Sequence, residues 1–182
     1  MKRALLFALA LAACTEEVAQ NTDPVALTPE TLGHFCQMNL LEHEGPKGQV
    51  HLDGLPGAPL FFSQVSDLVT YLRLPEQSNA VLAIYVSDMG ADGATWDQPG
   101  ATNWTKAATA TYVVGSDATG GMGAPELVPF ADPAAAKAFA ALHGGSVMGL
   151  EAIPDSAITP LATTEPEGDD DYSRRLKSLS EG

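Results

Sequence analysis

A cysteine and a methionine separated by one residue give the clearest chemical signal in this chain. Cys36-Gln37-Met38 combines a thiol with a thioether, and a thiolate with a thioether are soft ligands that favour cuprous copper over harder ions. On a strand the two side chains would share a face, whereas on a helix they would lie about 200° apart. The alternating pattern of residues 35–41 predicts a strand. The structural alternative for this tripeptide is a small buried cysteine beside a core methionine.

The other cysteine of the chain stands at the end of a targeting segment. Two basic residues precede an apolar run, 4–12, that is shorter than the ~20 residues of a membrane-spanning helix. The run ends in Leu11-Ala12-Ala13-Cys14, which resembles a bacterial lipobox, where cleavage precedes a cysteine that is then acylated. We therefore predict a signal peptide over 1–13 and a lipid anchor on Cys14. Lipidation leaves Cys36 as a lone thiol in an oxidising compartment, which favours a ligand role.

A third soft ligand is predicted in the second half of the chain. Met122 stands in Gly120-Gly121-Met122-Gly123, where an apolar side chain has little local core to join and glycine allows close backbone approach. The alternative is that Met122 covers a hydrophobic edge. One thiolate and two thioethers would give trigonal coordination, which suits cuprous copper and leaves the ion transferable.

The elements that must position these residues follow a repeated order. Hydrophobic patterning and capping residues predict helices over 64–74, with Ser63 as N-cap, and over 133–142, with Asp132 as N-cap. The hydrophobic pattern also predicts strands over 49–52, 59–62, 80–86, 110–114, 126–130 and 146–153. The order of hairpin, helix and strand occurs twice, which predicts an α+β fold of two small related ββα-type units, 32–95 and 96–160. The metal would then lie between the units. Residues 14–31 are predicted to be a tether and 161–182 a disordered acidic tail.

Composition and motifs exclude several classes of function. The chain has 9 basic and 23 acidic residues and a formal net charge of −14, and the absence of a basic patch argues against a nucleic-acid partner. It lacks His-x-x-x-His and Gly-x-Ser-x-Gly motifs, and the glycine-rich loop 115–123 lacks the Lys-Ser/Thr of a phosphate loop. We therefore expect a protein that is not an enzyme. Two alternatives stay open: a lipid-anchored scaffold without a metal role, and a thiol-dependent lyase or reductase.

The four histidines are weaker candidates for the site. His43 lies five residues after Met38 and could add an imidazole to the ion, particularly to cupric copper. His34 would share the face of Cys36 only if the predicted strand extended back past Gly33. His51 and His143 are predicted to be ordinary surface or cap-region histidines.

Two blocks of sequence together resemble the NosL family, the copper-binding lipoproteins accessory to nitrous oxide reductase. The first is Gly33-His34-Phe35-Cys36-Gln37-Met38-Asn39-Leu40-Leu41-Glu42-His43 with Gly45-Pro46-Lys47. The second is Gly120-Gly121-Met122-Gly123-Ala124-Pro125-Glu126 followed by Pro129-Phe130. The similarity runs from about residue 32 to 153, and the lipobox stands where the family has it.

The resemblance implies a cuprous-copper, Cu(I), chaperone in the periplasm, held at the inner or the outer membrane by its lipid. Such a protein helps to assemble the copper-sulfide catalytic cluster of nitrous oxide reductase, with a dedicated ABC transporter complex as docking partner. The family's cysteine and first methionine correspond to Cys36 and Met38, and Met122 matches the second block. The resemblance also implies a topology similar to organomercurial lyases.

Overall fold

The computed structural model describes residues 19–75 and 79–158 of the 182-residue chain. The predicted signal peptide, the predicted lipidation site Cys14 and the predicted acidic tail lie outside the described residues. No helix in the described part of the chain is long and apolar enough to cross a membrane.

Two antiparallel sheets, each accompanied by one helix, form the framework. The first sheet has the strand order β2-β1-β3-β4, and its elements are β1 (Gly48–Leu52), β2 (Leu60–Phe62), α1 (Val65–Arg73), β3 (Val81–Ser87) and β4 (Trp104–Lys106). The second has the order β6-β5-β7, with β5 (Thr111–Val114), β6 (Val128–Phe130), α2 (Pro133–His143) and β7 (Ser146–Gly149). The mixed α+β class predicted from the sequence is confirmed.

The predicted repetition of hairpin, helix and strand is present in the architecture. In each sheet the first strand is central, the second completes a hairpin on one side, and the strand after the helix pairs on the other side. Strand β4 was not predicted; within residues 19–75 and 79–158 it lies at the edge of the first sheet and pairs with β3. The boundaries of the two units and the likeness to organomercurial lyases stay predictions.

One hydrophobic core joins the two sheets. Its buried members come from the first sheet and its helix, from β5 and from the segments beside them: Val50, Leu52, Phe62, Val65, Leu68, Val69, Val86, Ala107, Ala110, Tyr112, Val114, Leu127 and Ile153. The hydroxyl of the fully buried Tyr112 donates a hydrogen bond to the carbonyl oxygen of Ala107, 2.9 Å away. Because these side chains interdigitate in one cluster, loops from the two halves of the chain can be held in contact.

The N-terminal segment lies along the buried strand β1. The Gln20 amide donates to the carbonyl of Leu52 (2.9 Å), and the Gln49 side chain both accepts from the Val25 amide (2.8 Å) and donates to its carbonyl (3.0 Å). The segment therefore runs antiparallel to β1. The described part of the predicted tether is thus hydrogen-bonded to the folded domain.

The surface position predicted for His51 is wrong. Its side chain is fully buried, with Nε2 3.0 Å from Oε1 of Gln49. Burial lowers the pKa of His51, although the charge of Asp23 opposes this shift. The two faces of β1 explain the burial, because Val50 and Leu52 face the core while Gln49 and His51, on the other face, lie towards the N-terminal segment.

The N-cap predicted for the second helix is confirmed and gives a simple test of stability. Asp132 accepts a hydrogen bond from the Ala134 amide (2.8 Å), and Pro133 occupies the first turn. Asp132→Ala is expected to lower the free energy of unfolding by about 1 kcal/mol, because a first-turn amide loses its acceptor. Urea unfolding would measure the loss, with Asp92→Ala, on an exposed loop, as control. Equal losses in the two variants would contradict the assignment.

Candidate metal site

Cys36 and Met38 lie on a tight loop, and the strand predicted for residues 35–41 is wrong. A single bridge pairs Leu32 with Asn39 at the base of the loop. Inside it the Gly33 amide donates to the Met38 carbonyl (3.0 Å) and the Gln37 amide donates to the Gly33 carbonyl (2.9 Å). These bonds turn the chain back within six residues, so the alternation of side chains on a strand does not apply here.

The residue between the two sulfur side chains makes the loop possible. Gln37 has φ +56°, a left-handed conformation that is uncommon for residues other than glycine. Its side-chain amide donates to the carbonyls of His34 (2.7 Å) and Gly33 (3.2 Å), which stabilises the turn. A Cβ added to Gly33 would overlap the Cys36 sulfur, so glycine leaves the space that this thiol occupies. Cys36 is half-buried, and the Met38 side chain is 41% exposed.

The loop that carries Met122 is seated on the segment that follows the cysteine loop. A Cβ on Gly121 would lie 2.8 Å from Cβ of His43 and 3.0 Å from the carbonyl oxygen of Glu44. The loop also closes on itself, because the Gly123 amide donates to the Gly120 carbonyl (2.7 Å). Met122 is 47% exposed. The chain segment 43–45 therefore links the predicted ligands of the two units, with Cys36 and Met38 just before it and the Met122 loop against it.

Gly120, the first glycine of this loop, lies so close to two buried side-chain oxygens that no larger residue fits, which gives a second test of stability. A Cβ on Gly120 would overlap Oε1 of Gln64 and stand 2.8 Å from Oε2 of Glu126. Gly120→Ala is therefore expected to cost about 1–3 kcal/mol of stability, as overpacking does. Gly149→Ala is the matched control, since an added Cβ there meets nothing within 4 Å. Chemical denaturation of both variants would check this, and an unchanged Gly120→Ala would refute the close packing.

A carboxylate from the second unit binds the N-terminus of α1, and the N-cap predicted at Ser63 is wrong. The Glu126 carboxylate accepts hydrogen bonds from the amides of Ser66 (3.0 Å), Leu127 (2.8 Å) and Val65 (3.3 Å). Ser63 Oγ is buried without a hydrogen-bond partner among the described residues. Burial raises the pKa of Glu126 to about 8, while the three amides and the charge of Lys47 act in the opposite direction.

Lys47 supplies a buried positive charge next to the same segment. Its ammonium donates to the carbonyls of Gly45 (2.6 Å) and Glu44 (2.8 Å), and its side chain is almost fully buried. Burial lowers the pKa of Lys47 to about 8, and the negative charges of Glu126, Glu44 and Cys36 oppose this shift. Lys47 therefore holds two carbonyls of the segment on which the Met122 loop is seated, within electrostatic reach of the Cys36 thiolate.

Sequence reasoning assigned no role to Lys47, Gln64 or Glu126. The sequence did indicate a role for two of them. Lys47 directly precedes β1, and Glu126 directly precedes the buried residues Leu127 and Val128, so both are charged groups at the edge of apolar segments. Such groups are rarely buried without partners. Gln64, which precedes a helix, gave no comparable signal.

The histidines divide into one that lies at the site and others that do not. His43 is half-buried beside Gly121, and its Nε2 is buried without a hydrogen-bond partner among the described residues. It also lines a cavity of about 290 Å³ together with Lys47. His34 is exposed and contacts the rings of Phe35, Phe62 and Tyr71. As predicted, His143 lies at the end of α2, where its ring meets the Asp117 carboxylate at 3.0 Å.

The chemistry of the arrangement is that of sulfur donors. Within residues 19–75 and 79–158, no group of three or more His, Cys, Asp and Glu side chains is arranged to hold a metal ion. The candidate donors at the joined loops are instead one thiol and two exposed thioethers. A soft ion such as cuprous copper is the metal that such donors favour.

Comparisons with known proteins agree over most of the chain. The family model NosL matches residues 24–158. A protein of Achromobacter cycloclastes named copper-binding lipoprotein NosL is 57% identical over 183 residues, which cover 97% of this chain and 94% of that protein. A protein of the same name from Stutzerimonas stutzeri is 34% identical over 173 residues, covering 93% of this chain and 87% of its own.

A solved structure supports the same relationship. The crystal structure of the copper chaperone NosL from Shewanella denitrificans matches with a TM-score of 0.68 at 29% sequence identity. The match covers 75% of this chain and 98% of that one. The family model, the two relatives and the fold all agree, and this chain therefore belongs to the NosL family.

Proposed function

We propose that this protein is a cuprous-copper chaperone that delivers copper for assembly of the copper-sulfide catalytic centre of nitrous oxide reductase. It carries out no catalysis, and it is held on the periplasmic side of a membrane by acyl chains on Cys14. Its partners are nitrous oxide reductase and the accessory ABC transporter complex. Support comes from family membership, since two relatives are named copper-binding lipoproteins and a similar solved structure is named a copper chaperone.

The observation that carries the proposal is that the Met122 loop packs against residues 43–45, which follow the Cys36 loop after one short helical turn. Cys36 would supply the anionic anchor for the ion, and Met38 and Met122 would supply two neutral, exchangeable ligands. Both thioether side chains are more than two-fifths exposed, so an acceptor protein could reach them. His43 stays open as a further ligand, because its Nε2 has no partner within the described residues.

A competition titration tests the ligand set. The full chain, reduced and without metal, would be titrated with cuprous ion against a chromophoric chelator, together with Met38→Leu and Met122→Leu. Each variant is expected to bind about tenfold more weakly, a loss of about 1.4 kcal/mol. Met148→Leu, on β7, is the matched control and should bind like the parent. Parental affinity in both variants would refute the two methionines as ligands.

Delivery is tested separately from binding. Cells that depend on this protein for an active reductase would be complemented with the parent or with a ligand variant, and the copper content of the purified reductase would be measured. We expect low copper with the ligand variants and normal copper with the control. A scaffold without a metal role predicts normal copper in every case. Turnover of a thiol-reactive substrate by Cys36 would instead favour the lyase alternative.

A further inference from the structure

The Met122 loop is hydrogen-bonded to the first unit by a buried side chain. Gln64, which is 3% exposed and directly precedes α1, accepts a hydrogen bond from the Met122 amide through Oε1 (3.2 Å). Its side-chain nitrogen, Nε2, donates a hydrogen bond to Oδ2 of Asp67 (3.4 Å). The remaining backbone bonds of the loop close within it, from Gly120 to Ala124 (2.8 Å) and from Gly123 to Gly120 (2.7 Å). Gln64 therefore supplies the hydrogen bond that holds the loop to the first unit, in addition to the packing of Gly121 against residues 43–45.

We propose that Gln64 is a positioning residue of the copper site, which fixes the backbone of Met122 so that its thioether is presented to an ion bound at Cys36. This inference rests on the proposed function. Three glycines flank Met122, and a loop of that composition has many conformations to lose when an ion binds. A side chain that fixes the loop beforehand reduces this entropic cost, and the gain appears as affinity.

The environment of Gln64 is built for this contact. Its Oε1 and the Glu126 carboxylate occupy the space where a Cβ of residue 120 would be, so the loop backbone approaches both groups directly. Glu126 at the same time binds the first amides of α1. The N-terminus of α1 is therefore stabilised by Glu126, which leaves the Gln64 side chain available for the loop.

Replacing Gln64 by leucine tests the positioning role in two ways. Without copper, hydrogen exchange at the Met122 amide is expected to accelerate by about tenfold or more in Gln64→Leu, because the amide loses its acceptor. With cuprous ion, the affinity is expected to fall about tenfold, as it does in Met122→Leu. X-ray absorption should then show fewer sulfur neighbours at copper. Gln49→Leu is the matched control, since that buried glutamine bonds Val25 and His51 instead.

The double variant Gln64→Leu with Met122→Leu distinguishes positioning from general stabilisation. If Gln64 acts through Met122, the double variant should bind no more weakly than Met122→Leu alone. Additive losses would overturn the proposal, as would unchanged exchange at the Met122 amide. If Met122→Leu binds copper like the parent while exchange does change, the ligand assignment fails, and with it the role of Gln64 at the copper site.

A second inference rests on different contacts, those of the N-terminal segment. Gln20 is bonded at the C-terminal end of β1, through Leu52, and Val25 is bonded near its N-terminal end, through Gln49. The sulfur-bearing loops lie near that N-terminal end: the His34 amide of the Cys36 loop donates to the carbonyl of Phe61 (2.6 Å), which pairs with Gln49, and the Met122 loop packs against residues 43–45. The chain therefore enters the domain at one end of β1 and reaches the candidate site at the other.

We infer that the lipid anchor holds the domain with its Leu52 end towards the membrane and the copper site facing away from it. Only five residues lie between Cys14 and Gln20, so the two Cα atoms can be at most about 20 Å apart. The Leu52 end of β1 is thereby kept close to the lipid, and the site lies farther out by about the three-residue distance from Leu52 to Gln49, about 10 Å. A copper acceptor that extends into the aqueous compartment fits this orientation.

Energy transfer from the protein to a lipid dye measures the orientation without copper. The lipidated full chain in vesicles would carry a donor on Cys36, or on Asp53→Cys in a Cys36→Ser background, since Asp53 is exposed next to Leu52. Transfer from position 53 is expected to exceed transfer from position 36. A flexible insertion after Val18 should lower transfer from both positions. Equal or reversed transfer without the insertion would overturn the inference, and so would mass spectrometry showing Cys14 without lipid.

Discussion

Replacing Cys36 by serine is expected to weaken cuprous binding by at least about a hundredfold, or about 3 kcal/mol. The thiolate is the only anionic sulfur at the joined loops, and a neutral hydroxyl is a hard, poor ligand for a soft ion. Competition with a chelator of known affinity would measure the change.

The fold should tolerate this substitution, which keeps the test specific. Cys36 is half-buried on a loop, and serine is slightly smaller than the thiol that fills the space above Gly33. Thermal unfolding of Cys36→Ser without metal should therefore match that of the parent within a few degrees, or about 0.5 kcal/mol. A variant that retained parental copper affinity would remove the basis of the proposed function. A variant that lost binding only because it unfolded would show a lowered melting temperature.

The helices and strands of the framework were predictable because their hydrophobic periodicity and capping residues can be recognised in short stretches of sequence. The strands of both hairpins and α2 were predicted to within two residues at each end, because apolar runs and an Asp-Pro cap are local signals. Strand β4 (Trp104–Lys106) has only three residues at an edge, which is too short for any alternation to be recognised. Its formation depends on β3, which offers a free edge for pairing.

The conformation of the candidate site was not predictable from the sequence. The soft donors Cys36, Met38 and Met122 stay a prediction from side-chain chemistry, and the strand predicted around Cys36 is wrong. The left-handed turn falls on Gln37, a residue type that gives no turn signal, and it is stabilised by bonds from its own side chain. Alternating apolar residues in so short a segment do not distinguish a strand from a compact loop.

The buried polar groups could not be predicted for a different reason. Glu126 binds the first amides of α1 across 60 residues of sequence, and local capping rules point to Ser63 instead. Those rules state that the amides at the helix N-terminus need hydrogen-bond acceptors. Which side chain supplies the acceptor is determined by the packing of the two units. The connection between the units was therefore the least predictable feature, although it supports the Met122 loop.

Removing the Glu126 carboxylate is expected to cost the largest share of stability. In Glu126→Leu the amides of Val65 and Ser66 would stay buried without acceptors, at about 1–3 kcal/mol for each buried unsatisfied group. We expect a loss of about 2–4 kcal/mol in urea unfolding. Glu126→Gln, which keeps one acceptor oxygen, should lose less. Glu151→Gln, on an exposed residue, is the control, and a Glu126→Leu variant as stable as this control would contradict the capping role.

The pH dependence of stability gives Glu126 an independent signature. Burial raises the pKa of its carboxyl from 4.5 to about 8, so between these values the folded protein binds more protons at this site than the unfolded chain. Its contribution to the free energy of unfolding therefore falls as pH rises through this window, by up to about 1.4 kcal/mol per unit. Glu126→Gln should lack this decline. His51 titrates in both proteins, but the charge of Glu126 raises the pKa of Lys47, so the difference between the two urea-unfolding profiles reports on the Glu126–Lys47 pair. Parallel profiles would show that the pair titrates alike in the folded and unfolded states.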